Sequence, residues 1–313
     1  MLEHLVILLD ERSTSYCAYE VPAGERRLIG LEVLRAGIVF ALKENLHVQF
    51  VYPDYALPPE YEALICTVNH TKIQPATHAG SEAGVVVFDG WELLGGYPFA
   101  PGAVCVLRTA KADFFRQHAR IADVLGRVTR LNVVITDVET FGADDFAAYS
   151  LALQALSVPL KKLFLQGKRP QLNLLTDRMM LDGMNNCNAG WQNITLAPDG
   201  RFYVCPAFYY QDAPAGIGSP AEGLRLPNAR LYRLDHAPIC RNCDAYHCRR
   251  CVWLNRKTTL EVNTPSHEQC VVAHLEREAA RRLWMGLRAG GLFPDGQEIE
   301  ELDYLDPFDK IVQ

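Results

Sequence analysis

A chain of 313 residues is long enough for one large domain, or for a large domain carrying an appendix. A formal charge of −6 argues against a nucleic-acid partner, which usually requires a basic face. No apolar run approaches the roughly eighteen residues of a membrane span. The opening stretch MLEHLVILLDERSTSYC contains only the short apolar run Leu5–Leu9, too short for a signal-peptide core. A cytoplasmic location is therefore expected, where thiols stay reduced and clustered cysteines point to metal ligation rather than disulfides.

The first half alternates strand-like and helix-like segments. His4–Asp10 is a short apolar run suited to a buried strand, and Arg27–Leu46 has apolar residues at helical spacing. His47–Pro53 alternates up to a proline stop. Gly84–Gly90 and Ala103–Thr109 read as buried strands, the second followed by a helical stretch, Lys111–Leu125. Leu131–Val138 is a further strand and Asp144–Gln166 a helix, with Pro159 expected to kink or break it. Gln171–Asp177 closes the series. Such alternation predicts an α/β fold of parallel βα units, wound into an open sheet or into a full or partial barrel. His70 and His78 fall in a Gly/Thr-rich loop, read as a surface loop or, alternatively, as part of a barrel's active end.

The chemistry changes after residue 186. Three cysteines, Cys17, Cys66 and Cys105, are scattered before it, and the other seven lie between Cys187 and Cys270. The turn Pro198-Asp199-Gly200 leads into a strand that delivers Cys205. Cys240, Cys243, Cys248 and Cys251 then form C-x2-C-x4-C-x2-C, and Cys270 follows. Each C-x2-C turn brings two sulfurs within reach of one metal. Four thiolates suit a structural zinc, but seven cysteines leave three unexplained, and iron–sulfur clusters are the alternative. His247 is read as supporting a ligand or lying at the surface. Val271–Arg288 is an amphipathic helix, and the acidic stretch after it a solvated tail.

The order Cys187, Gly200, Cys205, then Cys240, Cys243, Cys248, Cys251, and finally Cys270 resembles the SPASM domain of radical-SAM peptide maturases. The spacings from Cys243 to Cys248 and from Cys248 to Cys251 are each one residue shorter than is usual there. The resemblance implies two [4Fe–4S] clusters, with zinc as the alternative. One would use Cys240, Cys243, Cys248 and Cys270. The other would use Cys187, Cys205 and Cys251, with Asp182 or an outside ligand completing it. It implies a partial (β/α) barrel of the TIM type over 1–180, a SPASM-like domain over 181–290, and an acidic tail over 291–313.

A radical-SAM enzyme places C-x3-C-x2-C after its first strand. Here the corresponding residues are Asp10, Thr14 and Cys17, with Tyr16 as the aromatic before the last position. One thiolate cannot hold that cluster, so S-adenosylmethionine is not expected as a cofactor. The segment PDYALPPEYE also lacks the Gly-Gly-Glu motif. The chain further resembles maturases encoded beside CXXX-repeat peptides, on the stretches LLDERSTSYC and LIGLEVLRAGIVFALKENLHVQFVYP together with the seven-cysteine end. That implies a cysteine-rich ribosomal precursor peptide as partner, a companion maturation protein, and clusters serving redox or substrate-thiol ligation. The alternatives are a non-catalytic protein that presents the peptide, with structural clusters, and a zinc-stabilised α/β protein.

Overall fold

The computed structural model describes residues 2–80, 82–211, 216–293 and 296–308. The chain forms two compact units, each from two stretches: Met1–Asp89 with Cys187–Ala237, and Gly90–Asn186 with Pro238–Gln313. The first stretch carries β1 (His4–Leu8), α1 (Leu31–Lys43), β2 (His47–Val51), α2 (Pro59–Ile65), β3 (His70–Pro75) and β4 (Val85–Asp89). The second carries β5 (Val104–Thr109), α3 (Lys111–Gln117), α4 (Ile121–Leu125), β6 (Arg130–Ile135), α5 (Ala143–Leu165), β7 (Gln171–Leu172) and α6 (Asp177–Met180). The chain then returns to the first unit for β8 (Asn193–Leu196), β9 (Phe202–Tyr203) and α7 (Pro206–Gln211). It ends in the second unit with α8 (Val252–Thr259) and α9 (His267–Ala289).

In the first unit β1 lies between β2 and β8, parallel to both, and β3 and β4 continue outward in parallel beyond β2. Leu5 to Leu9 are all fully buried, as a strand inside a parallel sheet covered on both faces requires. Helix α1 buries Leu34, Gly37, Ile38 and Ala41, one face at helical spacing. Gly37 is a close-approach position: a Cβ there would collide with Leu196 Cδ2. The turn expected at Pro198-Asp199-Gly200 is present, with Gly200 at φ +82°. Beyond it β9 pairs antiparallel with β8, ahead of Cys205. His70 is not in a loop. It opens β3, its Nδ1 lying 2.8 Å from the Val68 carbonyl oxygen.

In the second unit β5, β6 and β7 run parallel in that order. Helix α5 continues through Pro159, which neither ends nor divides it. Pro159 removes one amide donor, leaving the carbonyl of Ala155 on an exposed turn where water can take it. The stretch Lys111–Leu125 is broken by a 3₁₀ turn at His118–Arg120. The strand expected over Gln171–Asp177 stops at Leu172, because the Asn173 side chain takes over the ladder. Its Oδ1 accepts from Val133 N at 2.7 Å and its Nδ2 donates to Val133 O at 2.9 Å. Helix α9 starts earlier than its apolar period indicates, capped by Ser266, whose hydroxyl accepts from Gln269 N at 3.4 Å. Among the described residues no helix is long and apolar enough to cross a membrane. Of the acidic tail, 294–295 and 309–313 lie outside the described residues.

Candidate metal centre

The loop after β1 is tied down by hydrogen bonds. Asp10 is wholly buried, and its carboxylate accepts from Arg12 N at 2.7 Å and from Tyr55 OH at 2.7 Å. Its own N–H donates to Ser13 Oγ at 2.9 Å, and Ser13 OH donates to Val51 O at 2.8 Å. Thr14 is held through its N–H on the carbonyl of Tyr52. Asp10 thus closes the loop and fixes Tyr55. Ser15 OH donates to the carbonyls of Tyr19 and Cys17, at 2.6 and 3.3 Å, curling the chain that carries Cys17.

The same unit gathers Cys17, Cys205 and Cys187 about the half-buried Tyr16. Burial above all, then the charges of those three cysteines and of Tyr210, hold the Tyr16 phenol well above its ordinary value. Tyr19 is raised in the same way and stacks on Tyr210, ring centroids 5.6 Å apart. Nothing in the periodicity of the sequence marks this aromatic group.

The second unit holds Cys240, Cys243, Cys248, Cys251 and Cys270, together with the exposed Asp182. A 3₁₀ turn at Cys240–Asn242 closes on Cys243, whose N–H donates to Cys240 O at 3.1 Å. The Cys243 sulfur accepts from Ala245 N at 3.4 Å, and Cys248 N–H donates to Ala245 O at 2.8 Å. Cys270 lies in the first turn of α9, and Cys251 caps α8, its sulfur accepting from Leu254 N at 3.5 Å.

Burial pushes the Cys240 thiol up to about 11, despite the Arg250 guanidinium that favours its thiolate. Burial likewise carries Cys248 to about 12 and raises Cys243 and Cys270. Each of the four is raised further by charged groups around it: Cys270 by Cys248, Cys240 and Cys243, and Cys248 by Cys240 and Cys243. These four side chains therefore share one low-dielectric neighbourhood. Among the described residues no three His, Cys, Asp or Glu side chains converge closely enough to hold a single metal ion.

Around the thiols lies a polar network that the cysteine spacing does not announce. Arg277, wholly buried on α9, grips Asp244 with Nε at 2.8 and 2.9 Å, and its Nη1 reaches Glu278 at 2.7 Å. Arg178 of α6 reaches the same Asp244 with Nη2 at 3.2 Å. Burial opposes ionisation of Asp244, but Arg277 and then Arg178 outweigh it and hold the carboxyl below its usual value. His274 Nε2 is 3.6 Å from the Cys243 sulfur, and burial lowers its pKa to about 4, leaving a neutral ring. His247 is buried rather than superficial, with Nε2 between Ala273 O at 2.9 Å and a Glu276 carboxylate oxygen at 3.1 Å. The signal available in the sequence was the spacing of Cys270, His274 and Arg277, which puts all three on one face of a helix.

Four sulfur donors, of which Cys240 and Cys270 are buried, an N–H and an imidazole at the Cys243 sulfur, and orphaned buried donors on Arg178 suit an anionic thiolate-bound group. This parallel α/β sheet, partial-barrel-like and followed by a cysteine-rich C-terminal region, has the radical-SAM/SPASM fold. Solved structures of anSMEcpe share it. Native anSMEcpe with bound AdoMet and Cp18Cys peptide matches at a TM-score of 0.61 and 15% identity, over 92% of this chain and 100% of that one. A histidine-tagged form of anSMEcpe with bound AdoMet matches at 0.63 and 16%, over 92% and 100%. Native anSMEcpe with bound AdoMet and Kp18Cys peptide matches at 0.61 and 15%, over 91% and 99%. No protein-family model matches the sequence, and no curated protein matches it significantly.

Proposed function

We propose that this protein takes part in the maturation of a ribosomally made, cysteine-rich peptide, binding the precursor and carrying iron–sulfur clusters without cleaving S-adenosylmethionine. The observation that carries the reading is the set of four interacting thiols, the buried Cys240 and Cys270 and the half-buried Cys243 and Cys248, on a radical-SAM/SPASM fold. Peptide recognition is supported by the anSMEcpe structures of the same fold with bound Cp18Cys and Kp18Cys peptides.

Cys240, Cys243, Cys248 and Cys270 would hold one cluster, which with a thiolate on every iron supplies one-electron redox chemistry, while an iron open to a peptide thiol would belong to the second, incompletely ligated cluster. The chain's own residues supply the rest. Ala245 N–H and His274 direct hydrogen-bonding groups at the Cys243 sulfur, while Asp244 and Arg277 fix the turn between Cys243 and Cys248. Asp10, where a radical-SAM loop would carry its first thiolate, is spent on Arg12 N–H and Tyr55 OH, which supports the non-cleaving reading.

Anaerobic calorimetric titration with a cysteine-repeat peptide tests the proposal, against the same peptide with every cysteine replaced by serine. Saturable binding of the first peptide and at least tenfold weaker binding of the second are expected. Equal affinity for both would remove the thiol from the account, and no binding of either would remove the peptide.

A further inference from the structure

Arg178 carries more positive charge and more donors than its visible partners use. It is 3% exposed, and its guanidinium lies 4.4 Å from the centroid of the Tyr246 ring. Among the described residues only Nη2 has a hydrogen-bond partner, Asp244 at 3.2 Å. Nε and Nη1 are buried with no hydrogen-bond partner among the described residues. Of the five N–H bonds of a guanidinium, those two nitrogens carry three.

Asp244 is not their partner: Arg277 holds both of its oxygens and only Nη2 of Arg178 reaches it. Glu278 is taken by Arg277 as well. A buried cation with unused donors is a large desolvation cost unless an anion completes it. Asp244, which Arg178 Nη2 holds at 3.2 Å, is next in the chain to Cys243, whose sulfur accepts from Ala245 N at 3.4 Å, so the orphaned donors lie beside the turn that carries this thiol. A cluster held by four thiolates is a net anion. Its reduction potential follows its surrounding charge and the hydrogen bonds to its sulfurs.

We infer that Arg178 is a positioning and charge-compensating residue for the iron–sulfur group on Cys240, Cys243, Cys248 and Cys270, donating from Nε and Nη1 to its Cys243 edge. The inference deepens the iron–sulfur reading above and rests on it. Its consequence is that the group on these four cysteines is easier to reduce than it would be without Arg178.

The test uses the full chain, anaerobically reconstituted with iron and sulfide, as wild type, Arg178→Lys, Arg178→Gln and Arg178→Met. The EPR signal followed is the one that Cys243→Ala abolishes. Iron and sulfide should be unchanged in all three variants. In Arg178→Met the reduction equilibrium constant should fall at least tenfold, a potential about 59 mV more negative for a one-electron couple. Arg178→Lys should recover most of that loss by returning the charge. If Arg178→Met does not fold, Arg178→Gln is read in its place. Melting of the chelated, metal-free forms gives a second readout, in which Arg178→Met should melt no lower than wild type, since the cation then lacks its anion. A loaded Met or Gln variant with the wild-type potential overturns the inference alone, as does a metal-free Arg178→Met that melts well below wild type. Wild-type protein that takes up no iron or sulfide overturns the iron–sulfur reading and the inference with it.

Discussion

Replacing Asp244 with Asn removes the carboxylate shared by two buried guanidinium groups while keeping the side chain's size. Arg277 is wholly buried and loses an anion held at 2.8 and 2.9 Å, and Arg178 loses its one engaged partner at 3.2 Å. Removing one member of a buried ion pair typically costs ~3–5 kcal/mol. The Asp244 side chain keeps 34% of its exposure, so solvent screens part of the interaction, and the low end, about 3 kcal/mol, is the expected loss. At ~2–4 °C per kcal/mol for a region of this size, that is a fall of about 6–12 °C in the melting transition. Scanning calorimetry of the chelated protein measures it without any contribution from metal. Adding Arg277→Met to Asp244→Asn should return at least half the loss, because the orphaned cation is then gone. A fall of less than about 3 °C, or a double variant whose loss is the sum of the two single losses, would refute the reasoning.

Reduced protein incubated with S-adenosylmethionine should form no 5′-deoxyadenosine above a control lacking protein, and turnover abolished by Cys17→Ala would contradict this. The metal-free protein should lose stability in alkali. Its Cys240 and Cys248 thiols bind protons more tightly folded, at about 11 and about 12, than the roughly 8.5 of an unfolded cysteine. Their contribution is full below about pH 8.5 and is lost as pH rises toward those folded values. Melts between pH 7 and 10 in chelator should therefore show a decline, and a flat profile would show that the four thiols are not buried together. Gly37→Val should cost ~1–3 kcal/mol by forcing a branched side chain against the fully buried Leu196 and Ile7. Denaturant unfolding with no change in midpoint would show that α1 can move away from the sheet.

The parallel strands were legible as short apolar runs: His4–Asp10, Gly84–Gly90 and Ala103–Thr109 read as strands and contain β1, β4 and β5. The first C-x2-C turn, Cys240–Cys243, was legible because a tight turn is a local property. Departures arose where a side chain or a distant segment outvoted periodicity. Asn173 ends β7 by imitating a backbone, and α5 passes Pro159 because the freed carbonyl faces water. His70 enters β3 through its register with Val48, a partner no local window contains. At the candidate centre the cysteines were visible by type and spacing. The charges that surround them were not, because Arg178, Asp244 and Arg277 lie far apart in sequence and each alone resembles a surface residue.

Iron, acid-labile sulfide and zinc measured together, on protein purified and reconstituted without oxygen, test the central claim most directly. Two cubane clusters, as the cysteine pattern implies, give about eight iron and eight sulfide per chain and no stoichiometric zinc. Cys243→Ala should lower both by about half. Stoichiometric zinc with no sulfide would contradict the account and make the four thiols a structural zinc site.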